Sequence, residues 1–215
     1  MPTEQIQNKP DGNTATDILS ALPDLGLAGL FLLTWISPYA IDEKMVSYLV
    51  LVILMEFIIV HSSAFLGAVV FVPWPKGKKS AALAGLGLFY TMFVAAFSLA
   101  FGAWWPLWAF WGMMGNRLFG VLLGQAPQGR ERGFLALSWA LSVFLYLIAV
   151  FAPLMIEPPQ FGITSDVVAR QGFEIGGEWT AHPEIAIATG FLYFGSLGVF
   201  EVFGYRLMRR ANVDM

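Results

Sequence analysis

The sequence predicts an all-α integral membrane protein, built as a six-transmembrane-helix bundle with both termini in the cytoplasm. Three observations support this fold class. Hydrophobic residues make up 57% of the 215 residues and charged residues only 13%, which is about half the usual charged share of a soluble domain. The apolar residues form runs of roughly 20 residues, the length that a bilayer requires. The charged residues lie almost entirely between these runs.

Six apolar runs are long enough to cross a bilayer. They cover about 24–41, 46–72, 81–101, 104–124, 133–155 and 184–208. The third and fourth runs are separated only by the stretch from Gly102 to Pro106. Together they are too long for one span, so we expect a tight hairpin between them. A merged or re-entrant segment is the alternative at this point.

The domain organisation follows from these runs. Residues 1–22 form a polar tail without the basic and apolar regions of a signal peptide, and residues 16–22 have the pattern of a short interfacial helix. Residues 23–209 form the transmembrane domain, and residues 210–215 form a second cytoplasmic tail. The longest connection, 156–183, begins with Pro158 and Pro159, which prevent the fifth helix from continuing. This outer loop is either a lid or a plain connector.

The distribution of Lys and Arg predicts the orientation. In a six-span topology, only Lys44 and Arg170 lie on one side of the membrane. The basic residues on the other side are Lys9, Lys76, Lys78, Lys79, Arg130, Arg132, Arg206, Arg209 and Arg210. Because cytoplasmic connections are enriched in Lys and Arg, both termini are predicted to be cytoplasmic. The predicted location is the inner (plasma) membrane of a bacterial-type cell, with multiple passes.

Composition also excludes several classes of function. The chain contains no cysteine, which excludes disulfides, thiolate metal sites and iron–sulfur clusters. A net charge of -3 without a basic stripe gives no indication of nucleic-acid binding. No nucleotide-binding loop, zinc-protease motif or nucleophile elbow occurs, so no catalytic residue is predicted. The expected partners are the lipid bilayer and other membrane subunits or further copies of the chain.

Four ionisable residues lie inside predicted spans: Glu56, His61, Arg117 and Glu201. All are on even-numbered spans. Counted from the outer ends, Glu56 is near mid-bilayer and the other three are in the cytoplasmic half. Charged groups at this depth are costly unless they are paired or hydrated. They therefore predict an intramembrane ligand site or proton relay.

Helical projection at 100° per residue predicts how these side chains meet. Arg117 shares a helix face with Asn116 and Gly120, and Glu201 shares one with several glycines and Tyr205. Small residues allow another helix to approach closely, so Arg117 is expected to pair with Glu201 or Glu56. The full candidate site comprises Glu56, His61, Asn116, Arg117, Glu201 and Tyr205. A buried ion pair that only fixes helix packing is the alternative.

His61 has several candidate roles: proton relay, haem ligand, metal ligand or an ordinary hydrogen-bonded interior residue. The only other histidine, His182, is in the outer loop, far from the depth of His61. A metal would need further ligands near His61, so no metal is predicted. Whether a haem, a pigment or a lipid is bound stays open.

Three functions are compatible with these features. The first is a small transporter or channel whose charged residues form a relay or binding site. The second is an auxiliary or structural subunit of a larger membrane complex, which suits the small size and lack of a soluble domain. The third is an intramembrane enzyme that modifies a lipid or quinone with Glu56, His61 and Arg117. Such enzymes usually carry more His and Asp than this chain, so the transporter is preferred and enzyme activity is not expected.

Overall fold

A computed structural model describes residues 14–123, 130–173 and 176–211, and within these ranges the chain is entirely helical. The eight helices in this part of the chain are α1 (Thr14–Ile36), α2 (Met45–Phe71), α3 (Lys76–Ala100), α4 (Trp105–Leu123), α5 (Arg130–Ile156), α6 (Ser165–Gln171), α7 (Glu178–Ala181) and α8 (Pro183–Ala211). The predicted tails covered residues 1–22 and 210–215. Residues 1–13 and 212–215 of these tails lie outside the described residues, whereas residues 14–22 and 210–211 belong to α1 and α8.

Five of these helices are long and apolar enough to cross a membrane: α1, α2, α3, α5 and α8. This result confirms the prediction of a multi-pass helical membrane protein. The 19-residue helix α4 is not among the five, because Asn116, Arg117 and its tryptophans reduce its mean hydropathy. The count of six spans and the orientation of the termini therefore stay predictions.

The first span differs most from its prediction. The predicted run of 24–41 placed Pro38 inside the helix, whereas α1 begins at Thr14 and ends at Ile36. A proline disfavours helical backbone at the residue before it and lacks an N–H donor, so the helix ends ahead of Ser37. The expected interfacial helix at residues 16–22 is not separate, since it continues directly into α1.

Helices α2 and α8 form the centre of the bundle. Half of the residues in their membrane-spanning windows are buried within the protein, against 17% for α5. One apolar cluster joins α1, α2, α5 and α8, and a second joins α2, α3 and α4. Because α2 belongs to both clusters, it is the helix through which the two halves of the bundle are connected.

Glycines on α8 allow α1 to pack against it at close range. Gly190 lies directly under the ring of Phe31, and a Cβ built on Gly198 would lie 2.6 Å from Leu25 Cγ. These pairs show that the two helices are antiparallel. The predicted small-residue face of α8 is therefore the face that α1 covers, and no larger residue fits at these two positions without displacement.

A tight turn at residues 101–104 joins α3 to α4, as the sequence predicted. Gly102 has φ +60° there, a conformation that glycine adopts at little cost. On the predicted small face of α4, a Cβ built on Gly120 would have nothing within 4 Å, so no other helix approaches closely at this residue. The buried side chains of α4 are Pro106, Phe110, Met114 and Val121. A close approach occurs at Gly87 of α3, where an added Cβ would lie 3.3 Å from Met114 Cε.

The connection between α5 and α8 packs against the ends of α1 and α2. Ile163 is fully buried, and Gly162 N–H donates to the Trp35 carbonyl at 3.0 Å. The side chain of Gln171 accepts a hydrogen bond from Ser47 N–H at 3.1 Å and donates to the Glu43 carbonyl at 2.9 Å. These bonds hold α6 over the beginning of α2.

Candidate functional site

Polar side chains on α2 make contacts with two different groups of helices. Glu56 faces α8, and Ser63 and His61 face α4 and α3. Glu56 and Ser63 are seven residues apart, which is two helical turns or about 10 Å along the axis. The residues predicted to form one site are therefore divided between two levels of the bundle.

The first group centres on Glu56. The hydroxyl of Tyr193 on α8 donates to Glu56 Oε1 at 2.8 Å. The ring of Tyr193 also contacts Tyr146 of α5 edge to face, with centroids 5.2 Å apart. Tyr146 is buried and donates to the Ile53 carbonyl at 3.3 Å. Three helices thus enclose one carboxyl group, and two of them supply tyrosines.

Two more carboxyl groups lie along the same helices. The register of α1 on α8, with Phe31 on Gly190 and Leu25 on Gly198, places Asp24 at a level between Tyr193 and Glu201. The antiparallel packing of α1 on α8 explains this placement, because Leu25 lies against Gly198 and Glu201 is one helical turn further. Glu201 Oε2 is buried and has no hydrogen-bond partner among the residues that the structure describes. Tyr193 and Glu201 are eight residues apart, or about 12 Å.

These carboxyl groups are arranged in order of depth. Glu56 with Tyr193 is near the middle of α2 and α8, and Glu201 is near the end of the membrane-spanning part of α8, which ends at Phe203. The packing of α1 on α8 places Asp24 at a level between them. Together they make an acidic series, defined as Glu56, Asp24 and Glu201, that leads from the bundle centre towards one surface.

Arg117 does not pair with either predicted carboxylate. Its guanidinium donates to Ser63 Oγ at 2.9 Å. Among the described side chains the one ion pair is between His182 and Glu184, at the start of α8. The predicted bond to Glu56 or Glu201 fails because α4 packs against α2 and α3, whereas the acidic series lies where α1, α2 and α8 meet.

The other predicted residues are also separated from the acidic series. His61 Nδ1 lies 3.0 Å from the Tyr90 hydroxyl of α3, on a different side of α2. Asn116 is exposed on α4. The side chain of Tyr205 falls outside the described residues, so its contact with Glu201 stays a prediction.

Lysines close the ends of neighbouring helices at one surface. Lys76 Nζ donates to the Leu122 carbonyl at 3.1 Å, and Lys79 Nζ donates to the Val70 carbonyl at 2.7 Å. Both carbonyls belong to the last turns of helices, where backbone acceptors have no partner within the helix. This basic end is the one towards which α2 and α4 run.

Sequence reasoning missed Asp24, Ser63, Tyr146 and Tyr193 as members of these sites. Asp24 was placed at the start of the first span, where a carboxylate is unremarkable, whereas α1 begins ten residues earlier. The tyrosines were not included in the predicted site because an interior aromatic residue usually has only a packing role.

The acidic series offers carboxyl groups, one of which accepts a hydrogen bond from a tyrosine hydroxyl. No three His, Asp or Glu side chains among the described residues approach closely enough to hold a metal ion. A cleft of about 340 Å³ lies between α6 and α7, lined by Val168, Ala169, Gly172, Phe173, Gly176, Gly177, Thr180 and Ala181. None of the candidate residues lines this cleft.

Comparison of the chain with protein-family models, with curated proteins and with solved structures finds no match. The class of protein is therefore defined by the fold alone. It is a multi-pass α-helical membrane protein, with an acidic series enclosed by α1, α2 and α8 and with tyrosines from α5 and α8 around Glu56.

Proposed function

We propose that the protein is a small transporter or channel that moves protons, with Glu56 as its central proton-binding group. The hydrogen bond from Tyr193 to Glu56 in the bundle interior is the observation that carries this proposal. We further propose six spans, in the inner (plasma) membrane of a bacterial-type cell, with both termini in the cytoplasm.

The absence of a counter-charge supports a role in proton binding. Among the side chains that the structure describes, no Lys, Arg or His pairs with Glu56, Asp24 or Glu201. A carboxylate at membrane depth without a cation is strongly disfavoured. Neutralisation by a proton removes this penalty without a second ligand.

The spacing of the acidic series supports a relay. A proton released from Glu56 has Asp24 and then Glu201 as successive acceptors on the way to the basic surface. Steps of several ångströms require bridging water molecules. The buried, unpartnered Oε2 of Glu201 is an acceptor that such a water molecule would satisfy.

The orientation proposal depends on the lysines at the basic end. Lys76 and Lys79 lie at the surface towards which the acidic series leads, and cytoplasmic connections favour basic residues. We therefore propose that the relay connects the bundle centre with the cytoplasm, and that the loop over α2 covers the outer side.

Reaction with a hydrophobic carbodiimide tests the proposal, because this reagent modifies protonated carboxyl groups in apolar surroundings. The purified protein in liposomes is labelled at neutral pH and the modified peptide is identified by mass spectrometry. We expect the reagent to label Glu56, and this labelling should decrease as the pH is raised. The exposed Glu43 should not be labelled. An unlabelled Glu56, or labelling that does not change with pH, contradicts the role of Glu56 as the proton-binding group.

A flux measurement completes the test. In liposomes with an imposed pH gradient and an internal pH-sensitive dye, the Glu56→Gln variant is expected to slow dissipation of the gradient by at least about tenfold, the rate effect of about 1.4 kcal/mol in the barrier. The matched control is Glu43→Gln, which removes an exposed carboxyl group outside the helices. Equal flux through both variants rules out Glu56 as the relay.

A further inference from the structure

An aromatic patch surrounds His61 on the side of α2 that faces away from the acidic series. We define the patch as Phe57, His61 and Phe65 of α2 with Phe89, Tyr90 and Phe93 of α3. The His61 ring stacks on Phe57 with centroids 5.8 Å apart and contacts Phe65 at 5.4 Å and Tyr90 at 5.9 Å. Phe89 and Phe93 extend the patch along α3. All of these side chains except Tyr90 are exposed.

Helix α5 borders the patch on its other side. Phe57 contacts Tyr146 of α5 at 6.4 Å, and Trp139 Nε1 donates to the Val60 carbonyl at 3.3 Å. The exposed face of α2 therefore lies between α3 and α5. We call this exposed aromatic face of α2, flanked by α3 and α5, the aromatic groove.

The Tyr90 side chain is buried, and His61 Nδ1 is the one hydrogen-bond partner of its hydroxyl among the described residues. The tautomer of His61 decides which of the two groups is the donor. In the tautomer that leaves the Tyr90 hydroxyl as the donor, Nδ1 is the acceptor. The neutral imidazole then carries its own proton on Nε2. Nε2–H is a donor at an exposed position, and no partner within the described residues satisfies it.

The depth of His61 excludes the usual phospholipid groups as acceptors. Helix α2 runs from Met45 to Phe71 with its midpoint at Ile58, and His61 is three residues away, or about 4.5 Å along the axis. Lipid ester and phosphate groups lie about 15 Å from the centre of the hydrocarbon region. An unpaired donor in this region costs several kcal/mol, so a ligand for Nε2–H must carry its acceptor into the bilayer centre.

We propose that the aromatic groove is a binding site for a quinone-type molecule, a flat ring with carbonyl groups on an apolar chain. One carbonyl oxygen accepts the Nε2–H hydrogen bond of His61. The ring lies against Phe57 and Phe65, in the offset or edge-on contacts that aromatic systems favour. The site is distinct from the acidic series, and binding there does not depend on proton transport.

The probe is decylubiquinone, titrated into the protein in nanodiscs while tryptophan fluorescence is recorded. Quinones quench nearby indoles, and Trp139 borders the groove. We expect a saturable component of quenching that Trp139→Phe diminishes. His61→Leu should weaken binding about tenfold, the loss of one hydrogen bond of about 1.4 kcal/mol. His61→Gln, whose amide is also a donor, should restore affinity to within about threefold, and the control His182→Leu should bind as the unmodified protein does.

Four results overturn the proposal. The first is that quenching of the unmodified protein has no saturable component, and the second is that His61→Leu binds with unchanged affinity. The third is that decylbenzene competes at the same concentrations as the quinone. The fourth is that Phe65→Cys forms a disulfide-linked dimer in the absence of quinone. The last result places a second copy of the chain in the groove, and it is interpretable because the chain has no other cysteine. Should His61→Leu not fold, Tyr90→Phe tests the same point, since loss of the tautomer-setting hydroxyl is expected to weaken binding about threefold.

Discussion

The hydroxyl of Tyr193 on α8 donates a 2.8 Å hydrogen bond to Glu56 Oε1 on α2. These two helices are the most buried of the bundle, so the bond joins its two central elements at mid-depth. It also positions the carboxyl group relative to Tyr146 and the rest of the acidic series.

Removal of this bond is expected to destabilise the bundle. Tyr193→Phe leaves the carboxyl group without its donor and should lower the free energy of unfolding by about 1–3 kcal/mol. Thermal unfolding in detergent measures the effect. The control is Tyr39→Phe, since Tyr39 is exposed in the connection between α1 and α2. An equal shift for both variants means that the bond contributes nothing specific.

The close packing of α1 on α8 predicts a contrast between two glycines. Gly190→Ala introduces a methyl group into the ring of Phe31, and overpacking of this kind costs about 1–3 kcal/mol. Gly112→Ala on α4 meets no other atom and should be neutral or stabilising by up to about 1 kcal/mol, because alanine favours helix. Unfolding temperatures of the two variants give the comparison, and equal values contradict the register of α1 on α8.

Arg117 and Glu56 are predicted to act independently. They share no partner, and the levels of Ser63 and Glu56 are about 10 Å apart on α2. The effects of Arg117→Met and Glu56→Gln on unfolding free energy should therefore add within about 0.5 kcal/mol. A coupling energy well above that value in the double variant indicates that the two groups form an ion pair after all.

Gln171 is predicted to hold the α5–α8 connection in place. Its side chain bonds both Ser47 N–H and the Glu43 carbonyl, so Gln171→Ala should let α6 unfold locally and allow trypsin to cleave at the exposed Arg170 in intact membranes. The unmodified protein and the control Gln160→Ala, which changes an exposed side chain, should resist cleavage. Equally rapid cleavage of all three means that the connection is mobile regardless of these bonds.

Single-cysteine labelling tests the predicted topology, since the chain has no native cysteine. Cysteine at Gly77 should be inaccessible to a membrane-impermeant maleimide added outside intact cells. Cysteine at Trp104, in the α3–α4 turn, and at Asp166, in α6, should react. Reaction at Asp166 without reaction at Trp104 means that α3 and α4 do not both cross the membrane, and contradicts six spans.

Much of the fold was predictable from local sequence. The predicted second, third and fourth runs agree with α2, α3 and α4 to within a few residues, because apolar runs of bilayer length have few alternatives to helix. The start of α1 was not predictable in the same way. In the sequence, Asp24 resembles a residue at the start of a helix. Only the packing of α1 on α8, with Leu25 against Gly198, explains why Asp24 lies inside the bundle.

By itself, the sequence determined that this is a multi-helix membrane protein and identified Glu56, His61, Arg117 and Glu201 as its intramembrane polar residues. Only the tertiary structure decided which of them meet. Helical periodicity specifies the direction of a side chain around its own axis, but it does not specify which neighbouring helix lies in that direction. For that reason Arg117 was expected beside a carboxylate and instead contacts Ser63, and Glu56 was found with Tyr193.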